Sequence, residues 1–203
     1  MSDHATASGT SPSLGERLLT TLRTSFSRQR KLAERALAQV TDDAFSTQPA
    51  EDGNSLAILV KHLAGNLRSR FTDFLTRDGE KPDRHRDQEF VLGADETRSR
   101  LMARWAAGWQ QLEATLADLD VADLDASVTI RGEPYGVVEA LLRAHGHIGY
   151  HVGQMVLVAR ASRGEAWRSL SIPRGGSVAY NQAVDRGEVT QRRLPDATSE
   201  PTE

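Results

Sequence analysis

The sequence predicts an all-α protein built as a four-helix bundle, with a short hairpin before the fourth helix and an extended C-terminal strap. Three observations carry this expectation. Apolar residues recur at three- and four-residue spacing in four separate stretches of about 22 to 27 residues, each about 33 to 40 Å long as a helix. That is the scale on which four helices bury one central core. The helical pattern breaks for a run of β-branched residues only once, and 203 residues are the size of one ordinary domain.

The elements follow in order. Residues 1–12, rich in Ser, Thr, Ala and Gly, read as a disordered lead. Ser13 and Glu16 have the spacing of a capping box and precede Leu18, Leu22, Phe26, Leu32 and Leu37, which places a first helix from about Leu14 to Val40. Thr41-Asp42-Asp43 ends it, and the segment through Pro49 to Gly53 reads as a connecting loop. Asn54 or Ser55 caps a second helix to about Thr76, with Leu56, Leu59, Val60, Leu63, Leu67, Phe71, Phe74 and Leu75 at helical spacing. The stretch from Arg77 to Gly93 is too charged for core and too long for a simple turn, and loops of this kind often cover a site. Asp95 opens a third helix carrying Leu101, Met102, Trp105, Trp109, Leu112 and Leu116 to about Leu119. In Ser127–Gly136, β-branched residues before Gly-Glu-Pro predict a small hairpin. A fourth helix runs from about Val137 to Ala161, on Leu141, Ile148, Val152, Met155 and Ala159. Trp167, Leu170, Ile172 and Pro173 belong to the strap, so the folded domain spans 13–181 and residues 182–203 read as a disordered tail.

Composition narrows the chemistry. Without cysteine, the chain has no disulfide, iron–sulfur cluster, cysteine zinc site or cysteine nucleophile, and any metal must be held by His, Asp or Glu. A formal charge of −3 gives no net attraction to polyanions, so nucleic acid is not an expected partner. No apolar run approaches the roughly 20 residues of a membrane span, and the N-terminus lacks the basic start and apolar core of a secretory signal. A soluble cytoplasmic protein is the expectation.

Among six histidines, His4 and His85 fall in polar segments and read as solvated. His147 and His151 are four residues apart, so they differ by about 40° around the helix and about 6 Å along it, and both imidazoles can reach one ion. Such a pair also arises by chance. His145 points about 160° away from His147 and stands apart. Ala140, Ala144 and Gln154 share the side of His147 and His151, a small or polar strip where a cavity could open. His62, at the edge of the second helix's apolar stripe, would need a partner if turned inward. With the second and fourth helices facing each other, His62, His147 and His151 form a site for Zn²⁺, Ni²⁺ or Fe²⁺ with a coordination position left open.

The stretches Leu59-Val-Lys-His62-Leu-Ala-Gly-Asn66 with Arg68-Ser-Arg70-Phe, and His147-Ile-Gly-Tyr-His151-Val-Gly-Gln154, resemble the DinB/YfiT-like superfamily of metal-binding four-helix proteins. Ser171-Ile-Pro-Arg-Gly-Gly176-Ser is similar to the C-terminal extension of a branch without an assigned function, and the likeness spans roughly Leu14 to Asn181. The resemblance implies that His62, His147 and His151 are the metal ligands, often in a homodimer. It also implies, for some members, transfer of a low-molecular-weight thiol such as bacillithiol, mycothiol or glutathione to an electrophile.

The remaining polar residues admit two readings each. Asn66 and Gln154, one turn past His62 and His151, either hydrogen-bond a substrate or metal ligand or simply tie helices together. Arg68, Arg70, Arg84 and Arg86 read first as a solvated face paired with Asp73, Asp78, Glu80 and Asp87, and second as forks for the carboxylates of an acidic thiol. Trp105 and Trp109 belong to the core or to a dimer interface. Three functions follow: a metal-dependent thiol S-transferase acting in stress or detoxification, which leads on the resemblance; a metal-dependent hydrolase; and a stress-associated binding protein whose metal is structural. No phosphate loop or dinucleotide fingerprint competes, because Gly175-Gly176 lacks the Gly and Lys that would follow.

Overall fold

The computed structural model describes residues 11–190 and is mostly α-helical, with one two-stranded sheet. The first ten residues of the expected lead, His4 among them, and the last thirteen of the expected tail lie outside the described residues. Four long helices dominate: α1 (Leu14–Leu37), α3 (Leu56–Phe71), α4 (Arg98–Asp118) and α5 (Val137–Arg163). Helix α3 packs chiefly along α4 and also against α5, while α1 packs along α5 and touches α4. One continuous core results, filled by Phe26, Leu63, Leu67, Phe71, Trp105, Trp109, Leu112, Leu141, Ile148, Val152 and Met155. Trp105 and Trp109 are therefore core residues.

Hydroxyl caps fix the starts of α1, α3 and α4. The Ser13–Glu16 capping box is complete: the Ser13 hydroxyl accepts from the Glu16 amide at 3.2 Å, and the Glu16 carboxylate from the Ser13 amide at 2.6 Å. Ser55 caps α3 and Thr97 caps α4. The third helix thus begins at Arg98 rather than Asp95, whose carboxylate instead holds Arg100 at 2.7 Å. At Gly108 an added Cβ would lie 3.0 Å from the Ala64 carbonyl oxygen, so this glycine lets α3 and α4 approach closely.

Several boundaries differ from expectation, each for a local reason. The first helix stops at Leu37, and a short α2 (Asp42–Ser46) follows where a loop was expected; Thr41 caps it, and Phe45 is fully buried. The second long helix stops at Phe71 rather than Thr76, because the backbone turns extended at Thr72, ψ 125°, and then left-handed at Asp73, φ 49°, which Asp tolerates better than most residues. Phe74, counted in the helical pattern, is buried from the turn that follows. In the hairpin, β1 (Ser127–Ile130) pairs with β2 (Glu133–Gly136), and the turn is Arg131-Gly132, both at positive φ, rather than Gly-Glu-Pro. A two-residue loop with both centres left-handed matches the twist of its strands. Leu170 packs on the core as a strap residue would, but the strap is not extended throughout: α6 (Ser177–Asp185) follows, with none of its residues buried. Without an apolar face turned to the core, α6 carries no periodic signal.

Candidate metal centre

Ser55 sets the start of α3 by accepting a hydrogen bond from the Ile58 amide at 3.2 Å. From that start His62, Asn66 and Arg70 recur every fourth residue along one side of the helix. Helix α5 carries Arg143, His147 and His151 at the same spacing. These six residues line one cavity of about 540 Å³, together with the hairpin and the segment between α3 and α4.

At one end of the cavity the ring nitrogens of His62, His147 and His151 lie within 4.8 Å of one another. His62 Nε2 is 3.2 Å from His147 Nε2. Four ligands set tetrahedrally at 2.0–2.1 Å from a zinc ion stand about 3.3 Å apart, so this separation has the length of a coordination edge. The other ring nitrogens fix the tautomers of two of the three. His62 Nδ1 lies 2.8 Å from Glu89 Oε2, and a carboxylate there can only accept, so Nδ1 carries the proton and Nε2 presents its lone pair. His151 Nδ1 donates to Gln154 Oε1 at 2.8 Å, which likewise exposes Nε2. The buried His147 Nδ1 has no hydrogen-bond partner among the described residues. Three imidazoles turned to one point, two locked with their lone pairs inward, fit a divalent cation of the zinc, nickel or iron type.

Electrostatics keep the His147 and His151 imidazoles neutral. Burial, reinforced by His151, His62 and the nearby Arg84 and Arg143, lowers the His147 pKa to about 3. Burial also lowers that of His151, against the hydrogen bond it donates to Gln154. Burial works to raise the pKa of Glu89, but the hydrogen bonds from His62 and Arg84 prevail and hold it below the ordinary carboxylate range. Neutral imidazoles backed by an ionised carboxylate are the protonation states that bind a cation.

Glu89 is the residue that sequence reasoning missed, and with it the buried carboxylate that Arg84 grips. Glu89 sits in a 3-10 turn, Arg86–Phe90, packed on α3, in a segment expected to be too charged for the core. Its carboxylate is buried because Gly65 leaves room: a Cβ there would lie 2.2 Å from Glu89 Oε1. Arg84 grips Glu89 with two parallel bonds of 2.9 Å, from Nε to Oε1 and from Nη2 to Oε2. Phe90, from the same turn, lies with its ring centroid 4.8 Å from that of His62. The signal that could have found Glu89 is the pairing of a helical glycine with an acidic residue across a connection, and spacing alone does not reveal it.

The other predicted residues divide. Asn66 is buried and lines the cavity. Gln154 does not line it; it holds His151 and donates to the Tyr150 hydroxyl at 3.2 Å. Arg68 and Arg86 are solvated and pair with Asp83 and Asp87, as a surface reading expects. Arg70 and Arg84 are not solvated: both are buried and share Glu80. His145 turns away from the cavity, with Nε2 2.7 Å from the Ser25 hydroxyl and its ring edge-on to Phe26.

No helix of the described residues is long and apolar enough to cross a membrane. No curated protein and no solved structure matches the chain. One family, described as "Protein of unknown function (DUF1572)", matches residues 13–176, a span that contains the three histidines, Glu89 and the whole cavity. The chain belongs to the DUF1572 family.

Proposed function

We propose that this chain is a DinB/YfiT-like four-helix protein that holds a divalent metal on His62, His147 and His151 and uses it to transfer a low-molecular-weight thiol, of the bacillithiol kind, to an electrophile. The observation that carries the metal is the convergence of three imidazoles within 4.8 Å, two of them fixed by Glu89 and Gln154. The place of DUF1572 among the DinB-like families supports the wider reading. So does the cavity that opens directly from the histidines, since three protein ligands leave a coordination position for a small molecule.

Bound there, a divalent ion supplies a Lewis acid that draws the proton from a coordinated thiol or water at neutral pH. The protein's own groups do the rest. Glu89 holds His62 in the ligating tautomer, Gln154 does so for His151, and Phe71, Phe74 and Phe90 give the cavity apolar walls. Asn66, one turn from His62, offers an amide to a molecule lying along α3.

Metal content by mass spectrometry on the untagged full chain tests the site. One zinc, nickel or iron per chain in the wild type, lost in His62→Ala, His147→Ala and His151→Ala, is the expected result. Retention of metal in the His147→Ala, His151→Ala double variant would sink it. Metal-dependent consumption of a thiol with a chloro-aromatic acceptor then tests the transfer, and a metal-loaded protein that leaves both reagents unchanged rejects that part alone.

A further inference from the structure

The lining of the cavity carries an excess of positive charge. Five arginines line it, Arg70, Arg84, Arg86, Arg131 and Arg143, and no Asp or Glu does. Three carboxylates back them from behind: Glu80, within 3.3 Å of Arg70, Arg84 and Arg131; Glu89, gripped by Arg84; and Asp87, beside Arg86. Asp78, held by the Arg131 and Gly132 amides, also acts on Arg70, so five guanidinium charges meet four carboxylates in a chain whose overall formal charge is −3.

The unmatched charge is localised. Arg143 has no carboxylate within ion-pair distance among the described residues, and its guanidinium lies over the Tyr135 ring at 5.6 Å. Arg70 is about nine-tenths buried, its Nη1 stands 3.0 Å from Glu80 Oε2 without the alignment of a hydrogen bond, and no other acceptor meets that nitrogen. A buried guanidinium with an unsatisfied donor is costly unless something completes it. The loop and hairpin hold this arrangement open: Asp78 accepts from the Arg131 and Gly132 amides at 2.9 and 2.8 Å, and the Gly79 amide donates to the Thr129 carbonyl at 2.7 Å.

We propose that Arg70 and Arg143, two turns and one turn from the histidines along α3 and α5, bind the oxyanion group, a carboxylate or a phosphate, of a small molecule whose other end reaches the three histidines. Guanidinium forks match either group with two parallel hydrogen bonds. Arg70 is eight residues from His62 and Arg143 four from His147, so the ligand spans about 6 to 12 Å along the helix axes. The oxyanion half of the assignment stands on the arginines alone; the half that joins it to a reaction rests on the metal reading.

Calorimetric titration of the full chain with glutarate, with inorganic phosphate and with neutral glutaramide, at low ionic strength, tests it in zinc-loaded and chelator-treated protein. At least one of the two anions binds tenfold or more tightly than glutaramide, and the stronger one distinguishes carboxylate from phosphate. Arg70→Gln and Arg143→Gln each weaken that binding tenfold or more with zinc content unchanged. Arg143 is exposed, so its variant folds and decides the matter if Arg70→Gln does not. Equal affinity for anions and glutaramide, no binding of either anion, or an unchanged affinity in Arg143→Gln overturns the proposal. A chain that takes no zinc but keeps the arginine-dependent anion binding supports the oxyanion site and defeats the metal reading.

Discussion

Helix α3 is buried on nearly every side, yet its two faces are held by different physics. Toward α4 it presents Leu63 and Leu67 to a core that includes Trp105, Trp109 and Leu112. Toward α5 it presents His62, Asn66 and Arg70, polar groups at least nine-tenths buried. The first face is stabilised by area and close packing, which tolerate no cavity but need no particular angle. The second depends on named atoms: Glu89 for His62, Glu80 for Arg70. Damage to the first should therefore be read in stability and damage to the second in ligand binding.

The largest effect expected is on the apolar face. Trp105 is almost fully buried, stacks edge-on against Trp109 at 5.5 Å and donates its indole N–H to Glu34 at 3.2 Å. Trp105→Ala should cost about 3–5 kcal/mol in denaturant unfolding, in the range for a large aromatic removed from a core. What remains folded should keep its metal affinity. A variant that loses metal affinity while its stability is unchanged would dissolve the distinction between the faces.

On the polar face Glu89→Gln is the sharper probe. The amide oxygen can still accept from His62 Nδ1, but the charge that makes the imidazole a better donor and grips Arg84 is gone. Metal affinity should fall about 10- to 100-fold, the usual consequence of losing the partner behind a ligating histidine. The fold should survive, since Arg84 retains Glu80 at 3.3 Å. Metal competition with a chromophoric chelator measures the first outcome, and circular dichroism the second. An affinity within twofold of wild type would show that Glu89 is only a structural anchor for the connection.

The same contrast explains how much could be read from the residues alone. The apolar face was legible because periodicity reports burial: four long helices and the Trp105–Trp109 pair follow from spacing. The histidines were legible because residues four apart share a helix face. Glu89 and Arg143 were not, since their roles come from a connection folding back onto α3 and from a hairpin placed beside α5, and neither contact leaves a periodic trace. Charge density in Arg77–Gly93 suggested a solvated loop, whereas Lys81, Arg84 and Glu89 are buried there by pairing and by the space at Gly65. Helix ends failed for a similar reason, because an extended Thr72 and a left-handed Asp73 outweigh the apolar Phe74 and Leu75 that follow them.

The smallest expected effect concerns the histidine that angular position set apart. His145 lies two residues before His147, yet it faces α1, where the Ser25 hydroxyl meets its Nε2 at 2.7 Å and Phe26 meets its ring edge-on at 5.2 Å. This pair joins α1 to α5 in the manner of one ordinary polar contact. Both residues are half-buried, so water can replace part of what is lost. Ser25→Ala should lower unfolding stability by about 0.5–1.5 kcal/mol and leave metal content at the wild-type value. Two histidines within one helical turn would then differ completely in consequence, one a tie between helices and the other a ligand. A Ser25→Ala chain that loses its metal would instead mean that the α1–α5 contact, and not only Glu89 and Gln154, sets the aim of the imidazoles on α5.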